Sequence, residues 1–277
     1  MPTYTAKKSL GQNFLKSTAI VGRVAKAGDI KEGEIILEIG PGKGILTKAL
    51  LSLGAVVVAV EKDLSLIPFL EDKFENEIKE KKLFLVNADI LEFDIFEFIS
   101  SLKRKTEDSN TSYKLIANIP YYITGEILRK FLESKNQPKS IVVLVQKEVA
   151  KRIVASDKKE SILSLSVKAY GEPHYIETVK RKMFTPAPNV DSAILLIDNI
   201  SKKLFEEYKI SEEIFFKIVK AGFAHKRKMA LGNMKKIFTE SKNIEKIFEE
   251  NNISLKARAE DMSLDKWILV TKQISKK

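Results

Sequence analysis

The amino-acid sequence predicts an α/β fold with a mostly parallel sheet, followed by a small all-α region. From residue 34 to residue 197, short apolar runs alternate with longer amphipathic ones, which is the pattern of strands and helices around a parallel sheet. After Asp198 the β-branched runs stop and the remaining segments have helical spacing. We therefore expect one domain over residues 1–198 and a helical second domain over residues 199–277.

The apolar runs of the first domain predict seven strands, at residues 35–39, 55–60, 83–87, 114–117, 140–146, 175–179 and 191–197. In the second domain, helical spacing predicts helices at residues 212–223, 229–238, 244–250 and 264–274. Residues 103–112, between the third and fourth strands, are polar and lack periodicity. They predict a surface loop, to which we assign no function.

The composition limits the chemistry. With 277 residues and 44% hydrophobic content, the chain can form a substantial core. It contains no run of eighteen apolar residues and its first residues are polar, so we expect a cytoplasmic protein. The absence of cysteine excludes disulfides and thiolate chemistry, and two distant histidines argue against a metal site. The chemistry should come from an organic cofactor or from oxygen-bearing side chains.

The net charge of +11 is concentrated at the two ends of the chain. Residues 1–31 carry six Lys or Arg against one acid, and residues 199–277 carry eighteen against eleven, so the stretch between them is nearly neutral. This distribution suits a polyanion that flanking segments hold over a neutral catalytic body. An ordinary solvated surface on a lysine-rich protein is the alternative.

A glycine-rich segment follows the first predicted strand. The strand leads into G-P-G-K-G at residues 40–44, and the next residues have helical spacing. Glycines allow a sharp turn and let a ligand approach the backbone closely. The spacing is G-x-G-x-G, which differs from the dinucleotide fingerprint and lacks the end of a P-loop. Taken alone, the segment is a weak signal, and a structural tight turn is the alternative.

Two carboxylates lie at the ends of the second and third strands. Glu61 is placed to accept both ribose hydroxyls of a nucleoside-containing cofactor across the carboxyl edge of the sheet. Asp89 is placed to accept a hydrogen bond from an adenine amino group. A solvated strand-end acid and a helix cap are the respective alternatives. Together with the glycine turn, these strand ends predict a nucleoside pocket that both NAD and S-adenosylmethionine would fit.

The fourth strand is followed by Asn118, Ile119, Pro120 and Tyr121. An adenine N6 amine is a poor nucleophile because its lone pair is delocalised into the ring. The Asn118 side-chain carbonyl and a backbone carbonyl of Ile119 or Pro120 could each accept one N6 hydrogen, while proline fixes the backbone. Tyr121 could stack on the purine. Methyl transfer from a sulfonium depends mainly on alignment, so these residues favour a methyltransferase. An Asn-Pro turn before a buried tyrosine is the alternative.

Four motifs carry a family resemblance: S-L-G-Q-N-F-L at residues 9–15, E-I-G-P-G-K-G-I-L-T at 38–47, N-I-P-Y at 118–121 and F-T-P-A-P-N-V-D-S-A at 184–193. With them, the chain resembles the small-subunit ribosomal RNA adenine N6,N6-dimethyltransferase family, which is linked to kasugamycin sensitivity, over nearly its whole length. The resemblance implies a Rossmann-like class I methyltransferase domain with a roughly seven-stranded, mostly parallel sheet. It also implies S-adenosylmethionine as cofactor.

The resemblance assigns roles to particular residues. It implies cofactor binding by Asn13, Leu15, Gly40, Gly42, Glu61, Asp89 and Asn118. Within that set, Asn13 and Leu15 would close over the cofactor, and Asn118 would touch both the cofactor and the target amine. Phe184 would form the second face of an aromatic sandwich around the adenine, opposite Tyr121. From the residues alone, Phe184 is a core residue beside a proline-rich loop.

The helical tail resembles that of the small-subunit enzymes in F-A-H-K-R-K-M-A-L-G-N-M-K at residues 223–235 and R-A-E-D-M-S-L-D-K-W at residues 258–267. By this resemblance, the targets are two adjacent adenines in the loop near the 3′ end of the small-subunit RNA. Lys226, Arg227 and Lys228 are candidates for phosphate contacts, with a solvated basic face as the alternative.

The expected activity is therefore dimethylation of these adenines during ribosome biogenesis. The expected partner is small-subunit ribosomal RNA within an assembling 30S subunit, with no membrane, no metal and a monomeric chain. Two alternatives stay open: a large-subunit adenine methyltransferase of the macrolide-resistance type, which would share the catalytic motifs, and a protein that acts mainly as an assembly checkpoint.

Overall fold

The computed structural model describes residues 6–7, 10–103, 112–225, 227–236, 238 and 243–275. Contacts within the chain define two compact units. The first comprises Met1–Ala150 and His174–Ile200, and the second comprises Lys151–Pro173 and Ser201–Lys277. The sequence analysis assigned residues 151–173 to the first domain, whereas their contacts assign them to the second unit.

The described part of the chain contains nine strands: β1 (Phe14–Leu15), β2 (Ile35–Ile39), β3 (Val56–Glu61), β4 (Leu83–Asn87), β5 (Tyr113–Asn118), β6 (Ile141–Gln146), β7 (Glu172–Val179), β8 (Phe184–Thr185) and β9 (Ser192–Asp198). Seven of them form one sheet in the order β4-β3-β2-β5-β6-β9-β7. Neighbouring strands from β4 to β6 are parallel, and β9 is antiparallel to β6. The predicted seven-stranded, mostly parallel sheet is confirmed.

Most residues of the inner strands β2, β3, β5 and β6 are buried, as expected for a parallel sheet covered by helices, whereas exposed and half-buried residues alternate along most of the edge strand β7. In β6, all five residues from Ile141 to Val145 are fully buried, and β3 is a nearly continuous β-branched run. The helices of this part of the chain are α1 (Thr18–Ala27), α2 (Ile45–Ser52), α3 (Ile67–Lys73), α4 (Glu75–Lys79), α5 (Ile95–Lys103), α6 (Thr124–Glu133) and α7 (Lys147–Val154). Most of the predicted surface loop, residues 104–111, lies outside the described residues.

The strand order reverses between β2 and β5. From β2 the chain proceeds outward to β3 and β4, and it then returns to place β5 on the other side of β2. At such a switch point the connections after the two central strands diverge, which opens a crevice at the carboxyl edge of the sheet. The glycine turn follows β2 and residues 119–121 follow β5, so both of these sequence motifs lie beside the crevice.

A separate two-stranded ladder joins β1 to β8 in antiparallel fashion. Phe14 is opposite Thr185 and Leu15 is opposite Phe184. The ladder is extended by a hydrogen bond of 3.0 Å from the Lys16 N–H to the Met183 carbonyl. Two-residue strands are too short to show a periodic pattern, which is why the sequence analysis did not find them.

The second unit is helical, with α8 (Ile162–Lys168), α9 (Lys203–Tyr208), α10 (Glu212–Gly222), α11 (Ala230–Lys235), α12 (Ile244–Glu250) and α13 (Leu264–Ser275). Trp267 is fully buried and its ring stacks on Phe223 at 5.8 Å. Helix α8 contacts α10, and the Tyr170 hydroxyl donates to Glu212 at 2.5 Å, so residues before β7 belong to this core. No helix among the described residues is both long and apolar enough to cross a bilayer.

Candidate active site

A cavity of about 310 Å³ lies in the first unit at the carboxyl edge of β2, β3, β4 and β5. Its volume is within the range of pockets that bind small molecules. Eight of the residues selected from the sequence line it: Asn13, Gly40, Gly42, Glu61, Asp89, Asn118, Pro120 and Tyr121. The fold thus brings together residues from four strand ends and from the N-terminal segment.

The glycine turn requires glycine for two reasons. Gly40, Gly42 and Gly44 have φ angles of 63°, 57° and 69°, a region that other residues seldom adopt. A Cβ on Gly42 would lie 2.8 Å from the ring of Phe14, which covers the turn. A Cβ on Gly40 would meet nothing within 4 Å. The backbone at Gly40 is therefore open to a ligand, as a close-approach glycine requires.

Glu61 is held rigidly by backbone donors. Its side chain is buried, with Oε2 accepting the Gly42 N–H at 3.2 Å and Oε1 accepting the Asp63 N–H at 2.8 Å. Burial raises the pKa of the Glu61 carboxyl, and these two hydrogen bonds oppose that effect. Each carboxylate oxygen retains a further lone pair. Glu61 can therefore accept two hydroxyl groups while its orientation stays fixed.

Asp89 is held by a turn hydrogen bond and by an ion pair, and its role as an acceptor for adenine stays a prediction. Its Oδ1 accepts the Leu91 N–H at 3.0 Å, as a turn residue does, and its Oδ2 accepts the Lys62 ammonium at 2.6 Å. The hydrogen bond from Lys62 is the main reason that the pKa of Asp89 is lowered. Asp89 is therefore an ionised acceptor on the cavity wall.

Residues 10–14 line one wall of the cavity, which we call the N-terminal wall and of which only Asn13 was predicted from the sequence. Lys7 Nζ and Gln12 Nε2 bind the two carboxylate oxygens of buried Asp63 at 2.6 Å and 2.9 Å. The backbone of Asp63 in turn donates to Glu61. Asp63 thus connects this wall to Glu61, a role that no signal in the sequence indicates.

The side chains of Phe14 and Leu15 point to opposite sides of β1. Phe14 lines the cavity and lies over Gly42, whereas Leu15 is buried in the core and does not line the cavity. Adjacent residues of a strand alternate in direction, so only one of the two can face the site. The predicted cofactor contact of Leu15 would therefore have to use its backbone.

Asn118 presents a fixed carbonyl to the cavity. Its Nδ2 donates to the backbone carbonyl of Asn13 at 2.9 Å. This bond orients the side-chain amide, and no hydrogen bond to Oδ1 occurs among the described residues. A carbonyl oxygen that is oriented by its own amide nitrogen is an acceptor ready for an N–H donor.

Two tyrosines follow Pro120. The Tyr121 hydroxyl lies 2.5 Å from Ser192 Oγ, and burial raises the pKa of Tyr121, so the phenol is neutral and held at its tip. Tyr122 also lines the cavity and has 61% of its surface exposed. The sequence analysis did not select Tyr122, although a second aromatic residue after N-I-P-Y was a visible signal.

Phe184 is not on the cavity wall. Its side chain is 1% exposed and packs in the hydrophobic core, opposite Leu15 in the β1–β8 ladder. This arrangement corresponds to the core residue indicated by the sequence pattern alone. The sandwich role implied by the resemblance stays a prediction and would require the ring to leave this position.

The three candidate RNA contacts lie in the second unit or outside the described residues. Lys226 lies outside them, while Arg227 and Lys228 are exposed. Their role in RNA binding stays a prediction.

The sheet topology, the switch-point cavity and the strand-end acceptors define a Rossmann-like methyltransferase. Solved structures share this fold. The chain is similar to a dimethyladenosine transferase from Plasmodium falciparum, with a TM-score of 0.74 and 22% identity over 93% of this chain and 95% of that one. It is also similar to the 23S rRNA methyltransferase ErmE, with a TM-score of 0.73 and 21% identity over 95% of this chain and 100% of that one.

The chain belongs to the ribosomal RNA adenine dimethylase family, whose model matches residues 3–276. Relatives named ribosomal RNA small subunit methyltransferase A include a protein of Fusobacterium nucleatum, 39% identical over 96% of this chain and 96% of its own. Another, from Lactococcus lactis, is 40% identical over 95% of this chain and 88% of its own. The family resemblance seen in the motifs is confirmed.

Proposed function

We propose that this protein transfers methyl groups from S-adenosylmethionine to N6 of two adjacent adenines in the 3′-terminal hairpin loop of 16S ribosomal RNA, giving N6,N6-dimethyladenosine. One observation carries the proposal. The Asn118 carbonyl is oriented by Asn13 on the wall of a cavity that also contains the acceptors Glu61 and Asp89. That arrangement suits a nucleoside cofactor beside an exocyclic amine.

The cavity residues fit the cofactor. Glu61 would hold the ribose hydroxyls, because each of its oxygens has a lone pair beyond its backbone bond. Asp89 would accept from the adenine amino group, and the open backbone at Gly40 would lie against the methionine part. When bound, the cofactor supplies a methyl group on a positively charged sulfur. The site supplies orientation, since a methyl transfer of this kind needs alignment more than a strong base.

The acceptor adenine would be held by carbonyls and by an aromatic ring. Asn118 Oδ1 would accept one N6 hydrogen. The Pro120 carbonyl already accepts the Ile123 N–H at 3.3 Å, so the Ile119 carbonyl is the better candidate for the second hydrogen. Tyr121, fixed through its hydroxyl, would provide a stacking face for the unpaired base. These contacts draw electron density toward N6 and aim its lone pair at the methyl group.

The choice of RNA rests on the relatives. The fold does not decide it, because a 23S rRNA methyltransferase has the same fold. The relatives at 39–40% identity, however, carry a small-subunit name and are covered nearly to their full length. We therefore propose small-subunit RNA within an assembling 30S subunit as the substrate, in place of the large-subunit alternative.

The test is methyl transfer in vitro with labelled S-adenosylmethionine. The acceptors are 30S subunits from cells that lack this protein, 50S subunits and protein-free 16S RNA. We expect label in the 30S subunits, and mass spectrometry of the digested RNA should find two dimethyladenosines that are missing without the protein. Label confined to 50S subunits would overturn the proposal and support the large-subunit activity.

A further inference from the structure

Three consecutive basic residues, Lys180, Arg181 and Lys182, follow β7, and all three are exposed. We call these three residues the basic turn. They lie in the stretch of chain whose charges nearly cancel, so the charge distribution along the sequence does not reveal them.

The basic turn is connected to Tyr121, on the cavity wall, through the consecutive residues Asp191 and Ser192. Asp191 Oδ1 accepts the Arg181 N–H, and its Oδ2 accepts the Lys180 ammonium, both at 3.0 Å. The next residue, Ser192, is hydrogen-bonded to the Tyr121 hydroxyl. The turn is therefore fixed beside the residue that would stack on the target base.

The other end of the basic turn adjoins the N-terminal wall. The Met183 carbonyl, directly after the turn, accepts the Lys16 N–H, and β8 then pairs with β1. Lys16 is itself exposed and adds a further positive charge there. Asn13, three residues before Lys16, and Tyr121, which is hydrogen-bonded to Ser192, both line the cavity. The basic side chains therefore belong to segments that adjoin two of its walls.

The charges of the turn are only partly neutralised. Asp191 pairs with Lys180, while Arg181 and Lys182 form no ion pair among the described residues. Exposed cations without acidic partners bind phosphates and release counterions on doing so. Arg181 can in addition bind a phosphate through two parallel N–H groups, which Lys182 cannot do.

We infer that the basic turn binds the RNA phosphates that immediately flank the target adenine. The base and its neighbouring phosphates are covalently joined, so the phosphates flanking a base stacked on Tyr121 would lie near the segments that adjoin this residue, and the basic turn is one of them. The inference rests on the proposed function, because the RNA partner follows from it. It gives the first unit an RNA contact of its own, in addition to the one predicted at residues 226–228.

The test compares two double variants that remove the same charge. Arg181→Gln with Lys182→Gln alters the basic turn, and Lys81→Gln with Lys82→Gln alters exposed lysines at the amino end of β4, the opposite edge of the sheet from the cavity. Affinity for 30S subunits is measured across salt concentrations, together with KM and kcat for methyl transfer and calorimetric binding of S-adenosylmethionine. Unfolding midpoints establish that both variants are folded.

For the basic-turn variant we expect about a tenfold higher Kd and KM for 30S subunits and a salt dependence that is shallower by about one to two in log–log slope. We expect kcat within about twofold of the wild type and unchanged cofactor binding. The Lys81/Lys82 variant should retain the wild-type slope. A wild-type slope and KM in the basic-turn variant would overturn the inference, as would equal losses in both variants.

These outcomes are distinguishable from failure of the proposed function. If the wild-type protein methylates 30S subunits while the basic-turn variant binds them normally, only the inference is overturned. If the wild type methylates 50S subunits instead, the proposed function fails. The same pair of variants, tested on that RNA, then supports or overturns the basic-turn contact independently.

Discussion

The cavity has two halves that differ in how firmly their groups are held. The cofactor half consists of the glycine turn, Glu61 and Asp89. The acceptor half, where the adenine would bind, consists of residues 118–122, and Phe184 is the residue predicted to complete it. In the cofactor half, backbone N–H groups bind both oxygens of Glu61 and one oxygen of Asp89. In the acceptor half, Asn118 and Tyr121 are each held by one side-chain hydrogen bond, and Phe184 is buried in the core.

With the proposed function, this difference predicts that the cofactor half is preformed and that the substrate completes the acceptor half. Backbone donors are positioned by the sheet and turn themselves, so they need no partner to orient them. An aromatic sandwich around adenine, by contrast, requires Phe184 to move out of the packed core. Substitutions in the two halves should therefore have effects of different kinds.

The largest effect on stability is expected from Phe184→Ala, which should lower the free energy of unfolding by about 3–5 kcal/mol because it leaves a cavity in the core. Phe184→Leu keeps most of the apolar volume and should cost only about 1–1.5 kcal/mol. If Phe184 also stacks on the base, Phe184→Leu should lower methyl transfer by about tenfold or more. Urea unfolding and turnover measure the two effects.

The matched control is Phe131→Leu, at another phenylalanine that is 1% exposed in the first unit and does not line the cavity. It should lose similar stability and keep its activity. Normal turnover in Phe184→Leu would show that Phe184 serves only the core and would remove it from the acceptor half.

Asn118→Ala should lower kcat by about 100- to 1000-fold, which corresponds to about 3–4 kcal/mol of transition-state stabilisation. The reason is the loss of the Asn118 side-chain carbonyl, which we propose as an acceptor for the N6 amine. Binding of S-adenosylmethionine and of 30S subunits should remain, as calorimetry and sedimentation can measure. Full activity would contradict the assignment of Asn118.

Asn87→Ala is the corresponding change in the cofactor half, because Asn87 Nδ2 donates to the Glu61 backbone carbonyl at 2.8 Å. It should raise the KM for the cofactor and leave kcat nearly unchanged. If Asn118→Ala and Asn87→Ala changed kcat and the KM for the cofactor in the same way, the two halves would not act separately.

Gly42→Ala should lower the free energy of unfolding by about 2 kcal/mol and weaken cofactor binding. About 1 kcal/mol comes from the left-handed backbone and the rest from displacement of Phe14. Gly33→Ala is the control, since Gly33 has a φ of 77° and nothing within 4 Å of an added Cβ. Gly33→Ala should lose only the stability that the left-handed backbone conformation costs an alanine, and its affinity for the cofactor should be normal. Equal losses in both variants would exclude a specific role for the Phe14 contact.

Glu38→Gln should change how stability depends on pH. Glu38 is 1% exposed, Oε2 has no hydrogen-bond partner among the described residues, and burial raises its pKa to about 8. When the pKa of a group is higher in the folded state than in the unfolded state, its contribution to stability is complete below the unfolded-state pKa. This contribution is lost as the pH rises through the folded-state pKa. Between pH 5 and pH 8, the wild type should therefore lose stability relative to Glu38→Gln, by on the order of 1 kcal/mol per pH unit. Urea unfolding of both proteins at several pH values measures this effect. If the difference between their free energies of unfolding is the same at every pH, the raised pKa of Glu38 is contradicted.

Much of the fold and of the cofactor half could be predicted from the sequence. Continuous apolar runs such as 35–39 and 83–87 match β2 and β4 residue for residue, because buried parallel strands have a strong compositional signal. Glu61 and Asp89 could be selected because they directly follow such runs, and strand ends meet at one edge of a sheet.

The contacts that depend on long-range pairing could not be predicted. Asp63 reads as an ordinary surface acid, and only the folded chain shows that Lys7 and Gln12 bind it. Phe184 was expected in the core, but its pairing with Leu15, which lies far away in sequence, was not. The basic turn lies in the stretch between residues 31 and 199, where acidic residues balance the basic ones, so a sum of the charges does not reveal it.

The β1–β8 ladder has a consequence for the order in which the protein is made. The wall that contains Asn13 and Phe14 emerges from the ribosome early, but its hydrogen-bonding partner, β8, is synthesised only near the end of the first unit. Contacts between distant parts of a chain also form late in folding, since a long loop must close first. The central strands can therefore associate before the cavity has its last wall. A nascent chain that ends before β8 would have the strand-end acids in place but would not have a finished binding site.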